Sequence, residues 1–185
     1  MQALKERRSI RKFKPDPVSR ELLDDVAQKA LWAPSGMNTQ PWKVIILTGE
    51  RKERFLEISG KAITYLDARL KELFNDKMRS FIHGYFRDLG GAPAIVVVLA
   101  EASDTEVYML SNYESATAAM YNLLLLAHEA GLGTCWMTGQ IWIEKEVVEF
   151  LGFPGWRLVG VTPIGYPNQT PPVPPRKDGA IVWQE

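Results

Sequence analysis

Apolar positions along the chain change period several times, and each change predicts an element. Between Val18 and Trp32 the residues Leu22, Leu23, Val26, Ala27, Ala30 and Leu31 recur at i, i+1, i+4, i+5, which marks a helix with one buried face. Ser19 is placed to cap it, Glu21, Asp24 and Asp25 suit its positive end, and Pro34 stops it. Lys43–Thr48 is short, apolar and β-branched, and reads as a strand. Ala94–Ala100 (AIVVVLA) is an unbroken apolar run, as a strand buried on both faces requires. Ser111-Asn112-Tyr113-Glu114 has the form of a capping box, and from it a helix rich in small and apolar residues runs to Gly131. A helix apolar over most of its circumference belongs at the centre of a fold or in a subunit interface.

The remaining segments are less regular. Glu50 to about Gly90 reads as mostly helical, interrupted at Gly60, Asn75-Asp76 and Gly84. Its aromatics Tyr65, Phe74, Phe81, Tyr85 and Phe86 alternate with charges without a clean stripe, which predicts a partly exposed, mobile excursion over about 60–90. Thr134–Met137 is a short strand, Ile143–Leu151 a helix closed by Gly152, and Arg157–Ile164 a strand whose Pro163 predicts an edge or a bulge. Tyr166 to Lys177 contains five prolines and reads as an extended, polyproline-like arm. Ala180–Trp183 can then add a strand. An arm unable to bury itself is expected to lie on another surface, that of a second subunit. The elements together predict an α+β or α/β layered protein, with helices flanking a sheet of four or five strands.

Composition narrows the function classes. A length of 185 residues predicts one domain over 1–185, with a lid-like excursion at about 60–90 and an arm at 166–185. Lys plus Arg equals Asp plus Glu, 22 of each, so no global basic field draws nucleic acid or an anionic membrane. The one cysteine, Cys135, allows no internal disulfide, and with two histidines it leaves no plausible zinc ligand set, so no metal is expected. No run of 18 apolar residues and no signal-peptide pattern at Met1–Glu6 is present, and a cytoplasmic location is the expectation.

Against that neutral background four segments carry candidate chemistry. Arg7, Arg8, Ser9 and Arg11 place three guanidiniums and a hydroxyl within five residues. Arginine forks match phosphate oxygens bidentately, although a solvated basic N-terminus has the same composition. The loop Pro34–Trp42 offers donors and acceptors on Ser35, Asn38 and Gln40, a mix suited to a polar heterocycle; turn chemistry explains the same residues, and Trp42 reads as core. Gly131-Leu132-Gly133-Thr134-Cys135-Trp136-Met137-Thr138-Gly139 runs from the helix end along a strand into a glycine that permits close approach. Arg176 and Lys177 follow the proline arm, either as two exposed charges or as a second phosphate-binding pair.

Arg-Arg-Ser-x-Arg, Pro-Ser-x-x-x-x-Gln-Pro-Trp and Gly-Leu-Gly-Thr, in that order and followed by a proline run into Arg-Lys, resemble the nitroreductase family of FMN-dependent oxidoreductases. The resemblance implies an α+β, nitroreductase-like fold with a central, mainly antiparallel sheet of four to five strands flanked by helices and a C-terminal extended arm. It implies a homodimer with FMN at the subunit interface. Arg7, Arg8 and Ser9 would hold the phosphate and ribityl chain, with Arg176 and Lys177 closing on the phosphate. Pro34, Ser35, Asn38 and Gln40 would reach the ring from the partner subunit. Trp136, Met137, Thr138 and Gly139 would line it near N5. The catalytic roles fall to Thr138, as donor at N5, and to Arg11, as the charge beside the N1 and O2 edge. NADH or NADPH would deliver hydride to N5, and a nitroaromatic, quinone or related electrophile would take the electrons in a ping-pong cycle.

Two departures qualify this. Many family members carry Glu where Thr138 stands, and a hydroxyl there, with Ala33-Pro34-Ser35-Gly36, resembles the iodotyrosine deiodinase branch. That branch's Glu, Tyr and Lys substrate clamp has no match in Glu57–Lys77. The alternatives are therefore a reductive dehalogenase of the deiodinase type and a flavin-binding sensor or carrier without turnover.

Overall fold

In the computed structural model, which describes residues 2–184, the chain runs α1 (Ala3–Glu6), α2 (Arg20–Ala30), β1 (Trp42–Leu47), α3 (Gly49–Gly60), α4 (Ile63–Leu73), α5 (Asp76–Asp88), β2 (Ala94–Ala100), α6 (Glu106–Glu129), β3 (Gly133–Thr134), α7 (Glu144–Leu151) and β4 (Arg157–Gly165). The ends of the expected 1–185 domain, Met1 and Glu185, lie outside the described residues. The four strands form one antiparallel sheet in the order β1-β2-β4-β3. This is the α+β, helix-flanked sheet that the sequence predicts.

β2 explains the layering. All seven of its residues are buried. Successive side chains of a strand point to opposite faces. Ala94, Val96, Val98 and Ala100 join α2 and α6 in one core, whereas Ile95, Val97 and Leu99 join α3, α5 and α7 in another. A Leu99→Ala cavity in such a strand costs about 2–5 kcal/mol. The small residues Ala116, Ala119 and Ala127 let α6 lie close against the sheet and α2, with Met120, Leu123 and Leu124 filling the layer.

Local signals set several boundaries as expected. The Ser19 hydroxyl accepts from the Leu22 N–H at 3.2 Å, and α7 ends at Gly152 in the left-handed region. Other expectations need correction. Ser111 does not begin a helix: α6 starts at Glu106, and the Ser115 hydroxyl donates to the Ser111 carbonyl at 2.7 Å inside it. That i−4 bond is how a serine is accommodated in a helix interior. Gly84 lies within α5 rather than interrupting the 50–90 region, which breaks only after Gly60 and at Asn75, the N-cap of α5.

Three expected strands also differ from the structure. The pairing of β3 covers only Gly133 and Thr134, after which the Cys135 N–H donates to the Thr162 hydroxyl and Met137 rejoins β4 opposite Val161. Pro163 therefore sits in an interior strand, facing Ile95 on β2, at the place where pairing with β3 is interrupted. The missing proline N–H costs no ladder bond there. Residues 180–183 form no strand within the chain, and Ile181, Val182 and Trp183 are exposed.

Candidate functional site

The N-terminal arginines are positioned by a segment stitched to three elements. The Ile10 N–H donates to the Thr134 carbonyl at 2.8 Å, and Ser9 bridges Thr134 in parallel. The Phe13 N–H donates to the Gly90 carbonyl at 3.1 Å. The Lys14 N–H reaches the Tyr166 carbonyl, and the Asn168 N–H reaches the Lys12 carbonyl, both at 2.9 Å. Gly90 makes the second contact possible. It has φ +73°, and a β-carbon there would stand 2.3 Å from the Arg11 carbonyl oxygen. Only glycine accommodates both demands. The end of α5 is thereby fixed against the backbone of Arg11.

Beside that junction a cleft of about 340 Å³ brings together three regions of sequence. Arg11 comes from the N-terminal segment, Cys135–Gly139 from the strap after β3, and Phe81, Ile82, Tyr85 and Phe86 from one face of α5. Leu66 of α4 and Trp142 complete the wall, and Trp142 stacks on Tyr65 with ring centroids 6.1 Å apart. Thr138 is exposed, and its hydroxyl makes no capping bond to the turn that follows. Trp136 lines the cleft too, but its indole N–H is committed to the Val159 carbonyl. Gly139 does allow close approach, and the neighbours are Phe86 and Leu66 of the same chain.

The aromatics of the 60–90 region divide in two. Tyr65, Phe74 and Phe81 are exposed, whereas Tyr85 and Phe86 are buried, contrary to a uniformly loose excursion. The missed signal is the spacing of Phe81, Ile82, Tyr85 and Phe86, which repeats i, i+1, i+4, i+5 as in α2. Arg79, Arg87 and Asp88 on the other positions of the helix hide it. The Tyr85 hydroxyl is buried without a hydrogen-bond partner among the described residues. Burial pushes its pKa well above the ordinary phenol value; the Cys135 thiol adds to the shift, and Arg11 opposes it.

Arg7 and Arg8 line a neighbouring pocket of about 250 Å³ with His128, Gly131–Thr134 and the start of the arm, Pro167 to Pro171. Arg8 donates to the carbonyls of Lys5 and Arg7, at 2.7 and 2.8 Å. Neither Arg7 nor Arg8 nor Arg11 pairs with a carboxylate among the described residues. The Thr134 hydroxyl in this pocket is a second buried polar group without a partner.

The other expected site residues lie elsewhere on the chain. Pro34 and Ser35 border a separate hollow with Ser111, Glu114 and Ser115 of α6. The Ser35 hydroxyl accepts from the Gln40 N–H at 3.0 Å, and the Asn38 side chain accepts from the Gln40 amide at 3.3 Å. Met37, Asn38 and Gln40 all hold positive φ, near 50°. Such backbone is costly and concentrates at binding segments. Trp42 is buried, as expected of core. Arg176 and Lys177 are exposed on the arm and touch neither pocket. Among the described residues no cluster of His, Cys, Asp or Glu is placed to hold a metal ion, and no helix is long and apolar enough to cross a membrane.

Known proteins resemble this chain in sequence and fold. The chain matches the Nitroreductase family over residues 4–166. It is 30% identical over 176 residues to the "Putative NAD(P)H nitroreductase YfhC" of Bacillus subtilis (strain 168), covering 94% of this chain and 87% of that protein. It is 31% identical over 185 residues to the iodotyrosine deiodinase of Thermotoga neapolitana, covering 97% and 94%. The crystal structure of an oxidized iodotyrosine deiodinase bound to FMN and 3-iodo-L-tyrosine superimposes with a TM-score of 0.76 at 26% identity, covering 100% of this chain and 98% of that one. The chain belongs to the nitroreductase family.

Proposed function

We propose that this chain is an FMN-dependent oxidoreductase that takes electrons from NADH or NADPH and passes them to a small electrophile such as a nitroaromatic or a quinone. One observation carries the reading: the cleft in which Arg11, the free hydroxyl of Thr138 and the aromatic face of α5 converge. The residues fit FMN. Three guanidiniums without carboxylate partners suit a phosphate and an anionic ring edge. Two buried hydroxyls without partners, on Tyr85 and Thr134, sit one in each pocket. Buried polar groups in native proteins are almost always hydrogen-bonded, so both sites match a polar ligand.

In this reading Arg7, Arg8 and Ser9 hold the phosphate end, with Arg176 and Lys177 reaching it from the arm. Pro34, Ser35, Asn38 and Gln40 approach the ring from the partner subunit, since within one chain they stand apart from the cleft. When bound, FMN would supply the redox chemistry that links the nicotinamide to the oxidant. The protein positions and polarises. Arg11 offers a fixed positive charge where negative charge develops, and Thr138 holds a hydrogen bond at the ring. Met137 and Gly139 shape the wall, while Phe81, Leu66 and Trp142 exclude water and present flat surface to a planar oxidant. The chemistry requires no covalent nucleophile and no metal.

The active unit is a homodimer. Val107, Tyr108 and Leu110 of α6 are exposed in the single chain, as are Trp32 and Trp183, the last at 85%. Apolar surface of this extent marks an interaction site. β1 pairs only with β2, and its other edge is open to a strand such as residues 180–183 of a second copy.

Anaerobic reduction followed by reoxidation tests the proposal. NADH or NADPH should bleach the flavin, and a nitroaromatic or quinone should restore the colour. Failure of both nucleotides would leave a flavin-binding sensor or carrier. The identity with the Thermotoga enzyme and the free Thr138 hydroxyl favour a second reading, reductive dehalogenation. Selective reoxidation by 3-iodotyrosine with release of iodide would establish it.

A further inference from the structure

The sequence places Tyr85 only among the aromatics of the lid-like 60–90 excursion, yet its surroundings assign it a contact of its own. The residue is 7% exposed on α5, and its ring is held by Phe81, whose centroid lies 6.3 Å away at an interplanar angle of 10°. Tyr85 lines the same cleft as Arg11 and Thr138, and its hydroxyl is buried beneath that wall without a hydrogen-bond partner among the described residues. The Cys135 thiol lies beside it and contributes to its raised pKa, but sulfur is a weak acceptor and the pair falls short of a full hydrogen bond. Arg11 and Asp88 are the charged groups that influence it. Leu66, Phe81, Ile82 and Phe86 make the rest of the surrounding wall largely apolar. A buried hydroxyl left in this state destabilises the free protein, and a ligand acceptor placed against it removes that cost.

We propose that Tyr85 is a cofactor-contacting residue, whose hydroxyl donates to an acceptor atom of the bound flavin ring on the side it shares with Arg11. This rests on the FMN reading above. The phenol suits the task because it carries an O–H donor and its ring is buried at the wall of the cleft. The assignment separates Tyr85 from Phe86, its equally buried neighbour, which has no polar atom to offer and packs on Gly139.

The test compares Tyr85→Phe with wild type, first freed of flavin and then titrated with FMN. The apo variant should unfold at a denaturant concentration equal to or above that of wild type, because an unpaired buried group has been removed. Its dissociation constant for FMN should rise about three- to tenfold, and the visible absorption bands of bound FMN should shift. The opposite pattern, a less stable apo variant with unchanged FMN affinity and spectrum, would show the hydroxyl to be structural and overturn the proposal. Unchanged FMN affinity with a raised KM for the oxidant would overturn it as well. A wild type that binds no FMN would refute the functional reading and this inference together, whereas equal binding by both proteins would refute the inference alone.

Discussion

The Phe86 ring lies so close to the backbone of Gly139 that a β-carbon there would stand 2.7 Å from Cζ. Leu66 of α4 would be 3.0 Å away on the same side. Absence of a side chain at Gly139 is what lets α4 and α5 dock on the strap that carries Thr138. Gly139→Ala should cost about 1–3 kcal/mol through overpacking. Denaturant unfolding checks this, and a cycle with Phe86→Leu locates it: the smaller residue should relieve part of the penalty, whereas strict additivity would exclude the contact as the cause.

Arg7 and Arg8 share a pocket with Glu6, which accepts from the Gln2 amide, and neither arginine pairs with a carboxylate among the described residues. Each alanine variant should lose a charge-assisted contact of about 1.5–3 kcal/mol to the FMN phosphate, equivalent to roughly ten- to 150-fold in affinity. Titration of apo-protein with FMN and with riboflavin, which lacks the phosphate, measures it. The loss should appear with FMN and be nearly absent with riboflavin. Equal losses for both ligands would remove the phosphate role.

The split among the aromatics separates stability from catalysis. Phe81→Ala and Tyr65→Ala should raise the KM for nitroaromatics or quinones severalfold and leave Tm almost unchanged, because both residues are exposed at the cleft or its rim. Phe86→Ala should lower stability by about 3–5 kcal/mol, as loss of a buried ring does. Kinetics and melting curves on the same variants decide the matter; a stability loss for Phe81→Ala with unaltered KM would make α5 a structural element alone.

Removing residues 171–185 deletes the exposed Val173, Ile181, Val182 and Trp183 together with Arg176 and Lys177. Light scattering of the full chain at micromolar concentration should give about twice the 20.9 kDa chain mass. The truncated chain should dissociate on dilution and bind FMN more weakly. A truncated chain that remains a tight, fully loaded dimer would assign the interface to α6 without the arm.

Features with local causes were legible in the amino-acid sequence. The Ser19 cap, the unbroken apolar run of β2 and the Gly152 stop each depend on neighbours within a turn or a strand. The Arg7–Arg11 block and the Thr138 strap were legible as motifs, but not their meeting. That meeting depends on the left-handed turn at Gly90 and on the bond from Ile10 to Thr134, which join residues far apart in sequence. The start of α6 was misread because a good local capping pattern at Ser111 outweighed a poor start at Thr105. There the first turns carry Val107, Tyr108 and Leu110 on the surface of the single chain, where periodicity has no core to report. Burial of Tyr85 and Phe86 is obscured in the sequence by Arg79, Arg87 and Asp88, the charges that flank the apolar positions of α5.

Identification of the flavin tests the central claim most directly. The protein should be purified without added cofactor, denatured, and the released chromophore separated and quantified against the polypeptide. We predict FMN at close to one per chain, bleached in the intact protein by NADH or NADPH. FAD in its place, or a colourless protein that takes up no FMN on titration, would contradict the account.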